Sequence, residues 1–267
     1  MKKRCLRIKS QAARLLSTMA LTLLAAEALV AATPALKFDH VWLMVTPNAP
    51  ERAALERAGF RISPVVNRHE GQGTASVTVE FYNAFLELMW PDPTVAVAPG
   101  SERAVEKFRQ RMLWRTSGWC PIGIGLRPTG ATNTPLPLPT WSVTPAWLRP
   151  GSAIEILTPR DDTTSPSLFL SPKYLAVDES ANRKAARRSS KAAAIFKHPI
   201  GVERMTAIRL VSPRAYNPIE ALTYLQNAGI IAFDRGGDQW VVELTFDDGR
   251  KRKTKDLRPE LPLLIRY

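Results

Sequence analysis

The chain has 267 residues, of which 45% are hydrophobic and 23% are charged, and this composition is typical of a packed globular protein rather than a disordered one. The formal net charge is +13, but residues 1–28 contain six basic residues and one acid, so the rest of the chain carries about +8. This excess does not by itself imply a nucleic-acid partner, and a total of two cysteines excludes a four-cysteine zinc site and a CxxC redox motif.

The first 35 residues have the pattern of a targeting segment. A basic stretch precedes the apolar run 15–26 (LLSTMALTLLAA), and residues 26–28 (AEA) and 30–32 (VAA) fit the small-x-small pattern of signal cleavage. We expect a periplasmic or secreted protein, whose Cys5 leaves with the signal. A cytoplasmic protein with its true start at Met19, or an organellar transit peptide, remains the alternative. No second long apolar run follows, so no integral membrane span is expected after signal removal.

The stretch 38–90 predicts one βαβββ unit, which we call module one. Residues 38–45 (FDHVWLMV) are β-rich, and the helical stretch 48–58 ends at Gly59, a favourable residue for closing a helix. Further strands are predicted at 60–66, 75–81 and 84–90, with a loop at 67–74. A single helix cannot cover both faces of the resulting sheet, so the module needs a partner.

Two further stretches are predicted to echo this unit. After a connecting helix at 101–115, a Pro-rich region at 121–172 contains strands at 122–127, 153–157 and 167–171. We interpret it as a degenerate second module whose helix is reduced to the loop near 135–139. Beyond a basic helix or linker at 178–194, residues 201–267 repeat short motifs of module one: LVSP (210–213) resembles MVTP (44–47), and YLQNAGI (224–230) resembles ALERAGF (54–60). Strands are predicted at 240–246 and 263–267.

Side chains two residues apart on a strand share a face, and this alternation predicts a cavity. Apolar side chains on one face are suited to the core, and these are Val41, Leu43, Val45, Val77, Val79, Phe81, Leu86 and Leu88. The opposite face carries His40, Trp42, Met44, Ser76, Thr78, Glu80, Phe85, Glu87 and Met89. Such a mixed lining is typical of a ligand cavity. The imidazole of His40 and the carboxylate of Glu87 could bind a divalent metal, act as a general base with its partner, or form a structural pair.

Several of these segments together resemble the glyoxalase-like family of the vicinal-oxygen-chelate superfamily. They are FDHVWLMV (38–45), RHEGQGTA (68–75), FLELMW (85–90) and KHPIGVERMTAIRLV (197–211). The resemblance implies an α+β fold in which paired βαβββ modules form a curved half-barrel sheet around a cavity. Here it predicts a glyoxalase-like domain over 36–200, with the degenerate middle module, and a third C-terminal repeat over 201–267.

The resemblance also implies one divalent metal ion of unknown identity, bound by the first and last strand of each module. In module one those positions are His40 and Glu87. The strands of module two offer no His or Glu, and Thr206 and Leu264 stand at the matching positions of the third repeat. Half of the usual ligand set is therefore missing, and two protein ligands make a weak metal site unless loops supply others.

The two remaining histidines could supply the missing metal ligands. His69 lies in the glycine-containing loop 67–74, and His198 precedes the third repeat. We predict a metal site at His40 and Glu87 with His69 or His198, and catalytic roles for His69 and Glu87. The residues predicted to bind the ligand are Trp42, Thr74, Phe85 and His198. Alternatively, His69 is a surface residue and His198 only anchors the turn before Pro199.

Three hypotheses for function follow. The first is an enzyme of the lyase, isomerase or dioxygenase type that transforms a small oxygenated molecule. The second is a non-catalytic protein that binds or sequesters a small molecule. Nucleic-acid binding ranks last and is not expected, because the basic runs 183–191 and 250–255 contain no aromatic residue for base stacking and fit a solvated face. The sequence predicts no oligomeric state.

Overall fold

An eight-stranded mixed sheet dominates the part of the chain that the computed structural model describes, residues 36–129 and 136–267. The segment 1–35, where the targeting signal is predicted, lies outside the described residues. Within the described ranges, no helix has the length and apolar character needed to cross a membrane.

Module one forms half of this sheet. Its elements are β1 (Leu36–Met44), α1 (Arg52–Ala58), β2 (Asn67–His69), β3 (Thr74–Glu80) and β4 (Phe85–Pro91). The strands lie in the order β2-β3-β4-β1, with β1 parallel to β4. Gly59 ends α1 at φ 93°, and its N–H donates to the carbonyl of Glu56, so the predicted helix end is confirmed. The left-handed φ is the reason that glycine is suited to this position.

The second strand of module one was predicted at 60–66, and this is wrong. Residues 60–66 form no strand; the strand lies at 67–69, inside the predicted loop. The Phe60 side chain is buried in the core, the Arg61 N–H donates to the His198 imidazole, and Pro64 has no N–H to offer to a sheet. The β-rich composition of 60–66 therefore does not produce a strand: Phe60 packs in the core, whereas Val65 and Val66 are exposed.

The degenerate second module completes the eight-stranded sheet. It follows α2 (Glu102–Met112) and α3 (Trp114–Ser117), and its strands are β5 (Ile122–Pro128), β6 (Trp141–Val143), β7 (Ile154–Ile156) and β8 (Ser167–Leu170). Strand β5 pairs antiparallel with β1, and the order continues β5-β8-β7-β6. Since β5 is parallel to β8 as β1 is to β4, both halves share one strand order. The sheet curls into the predicted half-barrel, and the described residues between β5 and β6 contain no helix.

A five-stranded second sheet contains the rest of the chain. Two helices, α4 (Glu179–Arg188) and α5 (Ser190–Ile195), lead from β8 to this sheet. Its strands and one further helix are β9 (Met205–Pro213), α6 (Glu220–Asn227), β10 (Ala232–Gly237), β11 (Val241–Phe246), β12 (Thr254–Asp256) and β13 (Leu263–Arg266). The order is β10-β9-β11-β13-β12. In this sheet β9 pairs in parallel with β10, the strand that directly follows α6. In module one, by contrast, β1 pairs in parallel with β4, the last strand of the module. The second sheet therefore does not repeat the strand order of module one. The domain boundary at 200 stays a prediction.

The core lies between the convex face of the half-barrel and the second sheet. The predicted core residues of β1 and β4 are buried there with residues of α1, β9 and β11. Phe81 joins the two sheets, because its ring lies 4.6 Å from that of Phe246 and near that of Phe60. The predicted alternation along β1, β3 and β4 is therefore confirmed, and it leaves the concave face free to form a cavity.

Candidate functional site

The concave face of the half-barrel holds a cavity of about 610 Å³. This volume is in the range of small-molecule sites. Five of the seven predicted site residues line it, and they are His40, Trp42, His69, Phe85 and Glu87. From the predicted cavity face, Thr78, Glu80 and Met89 line it as well. The register explains part of this grouping, because His40 pairs with Phe85 and Trp42 pairs with Glu87 across neighbouring strands.

Glycines on β5 make room for the two rings of β1. Gly123 and Gly125 lie opposite Trp42 and His40 in the register. A Cβ atom at Gly123 would lie 2.0 Å from the Trp42 ring, and one at Gly125 would lie 2.4 Å from the His40 ring. The rings can therefore cross β5 only because these two positions have no side chain. The alternation of glycine with apolar residues at 122–126 (IGIGL) was a sequence signal for this site that the prediction missed.

The structure adds a residue that sequence reasoning missed, Asp39. Simple alternation would put the side chains of Asp39 and His40 on opposite faces, but the pairing of β1 with β5 shifts register between Phe38 and His40. This irregularity brings the fully buried Asp39 carboxylate beside His40, with Oδ2 2.9 Å from Nδ1. Arg127 donates to Asp39 Oδ1 at 3.0 Å and the Val177 N–H donates to the same oxygen at 2.7 Å.

These contacts keep Asp39 ionised. Burial raises the pKa of Asp39, but the bonds from His40, Val177 and Arg127 outweigh it, and the pKa lies below its ordinary value. A carboxylate at this position fixes the Nδ1–H tautomer of His40 and leaves Nε2 as an acceptor. No described residue makes a hydrogen bond to Nε2. The imidazole is also stacked on Phe85, with ring centroids 4.2 Å apart.

A second imidazole and carboxylate face the same cavity. His69 Nε2 lies 3.6 Å from Glu87 Oε1, and Nδ1 lies 2.9 Å from the hydroxyl of Thr74. We assign the His69 proton to Nε2: this tautomer presents a donor toward Glu87, and Nδ1 then accepts from the Thr74 hydroxyl, which itself accepts from Gln72. Thr74 itself is fully buried and is not among the residues that line the cavity, so its binding role stays a prediction; the contact that the structure gives it is with His69.

His198 is not brought to the cavity. Its Nδ1 accepts from the Arg61 N–H at 3.1 Å, and its Nε2 donates to the Glu80 carbonyl at 2.9 Å. Burial lowers the pKa of His198, which matches a neutral ring with one donor and one acceptor in use. Both nitrogens are engaged by backbone, so the metal and binding roles predicted for His198 do not fit this geometry. These contacts fit the alternative interpretation, in which His198 anchors the turn before Pro199.

A comparison with models of protein families identifies the family to which the chain belongs. The model of the glyoxalase-like domain matches residues 38–225, more than half of the chain. The chain belongs to the glyoxalase-like domain family. The resemblance to the vicinal-oxygen-chelate superfamily is thereby confirmed, and the two βαβββ-type halves of the large sheet agree with it.

Other comparisons say less about this glyoxalase-like protein. No curated protein matches the chain. Among solved structures, it is similar to a hypothetical protein from Staphylococcus aureus, with 10% sequence identity and a TM-score of 0.46 over 86% of this chain and 98% of that chain. A likeness at this level carries no functional conclusion.

The donor set of this glyoxalase-like protein does not fit the metal site that its superfamily implies. Within residues 36–129 and 136–267, no three His, Cys, Asp or Glu side chains are grouped so that they could hold a metal ion. The cavity face of module two offers Gly123, Gly125 and Phe169 in place of ligands. A divalent metal therefore stays a prediction, and we derive no chemical step through one.

Proposed function

We propose that the cavity binds a small oxygenated molecule and that His40 transfers a proton to or from it. The observation that carries this proposal is the buried Asp39 carboxylate, 2.9 Å from Nδ1 of His40. A carboxylate at Nδ1 orients the imidazole and stabilises its protonated form, which is the arrangement of a general base and its orienting partner. Among the expected reactions we favour the lyase and isomerase types, because both can begin with a proton transfer and neither requires an oxidant.

The proposed chemistry uses both imidazoles. Nε2 of His40 takes a proton from the carbon next to a carbonyl group, and the electron pair of the broken C–H bond passes to the carbonyl oxygen. The Nε2–H of His69 donates to that oxygen, while Glu87, 3.6 Å away, stabilises the charge on the ring. In a hydroxycarbonyl compound, transfer of the hydroxyl proton to the former carbonyl oxygen and return of the first proton from His40 to the former carbonyl carbon complete an isomerisation. In an elimination, the electron pair returns from the oxygen to re-form the carbonyl group, and a leaving group departs with its bonding pair from the carbon on the far side of the deprotonated one.

Exchange of hydrogen with solvent tests this proposal without knowledge of the natural substrate. The protein is incubated in D₂O with hydroxyacetone or 2-hydroxyacetophenone, and deuterium at the carbon next to the carbonyl is measured by mass spectrometry. We expect protein-dependent incorporation that falls by about 10²- to 10⁴-fold in His40→Gln, the usual contribution of a general base. Asp39→Asn should lower it too, and Asp234→Asn, an exposed carboxylate of the second sheet, should not.

Binding without catalysis is the second candidate, favoured by the glycines and Phe169 on the cavity face of module two. It predicts that the same carbonyl compounds bind equally to the wild type and to His40→Gln, with no protein-dependent exchange in either. That result would remove the proton-transfer proposal and leave a binding protein.

A further inference from the structure

The cavity is acidic although the chain is basic. Three carboxylates line it: Glu80 and Glu87 on its wall and Asp178 at its exposed rim. None of the described lining residues is Lys or Arg, whereas the whole chain carries a formal net charge of +13. The lining therefore offers a ligand acidic side chains and no Lys or Arg among the described residues, and it favours entry of cations over anions.

Glu87 is a buried carboxylate to which no described residue donates a hydrogen bond. It is 8% exposed, and within the described ranges its nearest basic group is Nε2 of His69, at 3.6 Å, beyond hydrogen-bond distance. The other imidazole, His40, is already paired with Asp39. A buried carboxylate is costly unless a donor or a counter-charge meets it, and a ligand in the cavity that Glu87 lines can supply one.

Aromatic rings also line the cavity, and their contacts there are with histidine or other aromatic rings and not with Lys or Arg. Trp42, Phe85, Phe108, Trp147 and Phe169 line it. Arg and Lys side chains lie over aromatic rings elsewhere in the described ranges, as Arg160 does over Trp141, but none lies over a ring of this cavity. The negative faces of such rings attract cations most strongly where water is excluded.

We propose that the ligand of this cavity is a small organic cation, a protonated amine or quaternary ammonium on an apolar body. The inference rests on the proposed small-molecule function and narrows it to a class of ligand. The positive group would sit against Glu87, and the apolar body would pack on Trp42 and Phe169. An anionic ligand would meet three carboxylates without a compensating Lys or Arg among the described lining residues.

Three probes of one shape test the charge preference. They are 2-phenylethylamine, which is protonated at neutral pH, neutral 2-phenylethanol and anionic phenylacetate, with binding measured by calorimetry or by changes in NMR spectra. We expect the amine to bind about tenfold or more tightly than the alcohol, and phenylacetate to bind most weakly. The difference in affinity between the amine and the alcohol should shrink as salt is added, because part of that difference is electrostatic.

Variants assign the preference to the cavity. Glu87→Gln should weaken binding of 2-phenylethylamine about tenfold and leave that of 2-phenylethanol within about twofold. Glu243→Gln is the matched control, because Glu243 is a similarly buried glutamate on the second sheet, paired with Arg266, and should change neither affinity. Asp178→Asn is a second test that keeps the fold, because Asn replaces Asp well as the N-cap of α4; it should weaken only the amine.

The outcomes separate this inference from the proposed function. Equal affinities for the three probes, tighter binding of phenylacetate, or no binding of the amine at millimolar concentration would overturn the cation preference. An equal loss for amine and alcohol in Glu87→Gln would mean that the residue shapes the cavity without selecting charge, and would also contradict it. Deuterium exchange into ketones could still succeed in those cases; conversely, failed exchange with intact amine selectivity would remove only the proton transfer.

Discussion

At the scale of single residues, strand alternation predicts on which face of the sheet most side chains of the site lie. The exception is Asp39. His40, Trp42 and Glu87 line the cavity as their spacing predicts. Asp39 was missed because a register shift at residues 38–40 cancels the alternation locally, and such a shift arises from pairing with β5. His198 was misjudged because the backbone groups that occupy its nitrogens come from residues 61 and 80, far away in sequence.

Glu80 gives a pH-dependent prediction at this scale. Burial raises the pKa of Glu80, and the nearby Glu87 carboxylate adds to this effect, while a hydrogen bond from Thr78 opposes it. Because the folded-state pKa lies above the unfolded one, the folded protein binds the proton more tightly, and the free energy of unfolding falls as pH rises from the unfolded pKa through the folded one. We expect Glu80→Gln to raise Tm at pH 7 by a few degrees and to reduce this fall. An unchanged pH profile in thermal unfolding would contradict the prediction.

At the scale of elements, a buried arginine fastens α2 beside the half-barrel. Arg111 is 5% exposed, and its guanidinium donates to the carbonyls of Cys120, Ser165 and Asp162. Those carbonyls lie just before β5 and β8, so one side chain holds a helix against the starts of two central strands. Nothing in the local pattern of α2 distinguishes Arg111 from the exposed Arg109, and tertiary contacts alone give it this role.

Replacement of Arg111 should therefore be costly. We expect Arg111→Ala to lower the free energy of unfolding by about 3 kcal/mol or more, because buried carbonyls lose their donors and a cavity forms. Arg111→Lys should also destabilise, since a single ammonium cannot reproduce the planar fork. Urea unfolding measures the change, and Arg109→Ala on the same helix is the control, with an expected change within about 0.5 kcal/mol. A loss for Arg111→Ala no larger than that of the control would contradict the assigned role.

At the scale of the whole molecule, the two sheets share a core, and the cavity lies on the side of the half-barrel away from it. The Phe60, Phe81 and Phe246 rings contact one another across this core, with centroids 4.6 to 6.1 Å apart. The second sheet therefore supports the wall of the cavity from behind. Amphipathic alternation in both sheets is needed for this arrangement, because each contributes one apolar face.

Truncation of Phe246 tests this coupling. We expect Phe246→Ala to cost about 3–5 kcal/mol, the usual range for a buried aromatic side chain, and to lower the stability of both sheets together. Hydrogen exchange of amides in β1 and β11 provides the measurement, and protection should fall by similar amounts in both strands. Loss of protection in β11 alone would mean that the second sheet unfolds independently of the half-barrel.

The sequence by itself determined the family, the α+β half-barrel, the core faces of its strands and the five predicted residues that line the cavity, because alternation and short motifs are local properties of the chain. Only the tertiary structure decided that Asp39 orients His40, that Thr74 and His198 lie outside the cavity, that the second strand begins at residue 67, and that Glu87 has no donor in the described part of the chain. The contacts of Asp39 with Arg127 and Val177 and those of His198 join segments distant in sequence, whereas β2 pairs with β3 in a local hairpin. Burial and partners are properties of such contacts, and no local spacing encodes them.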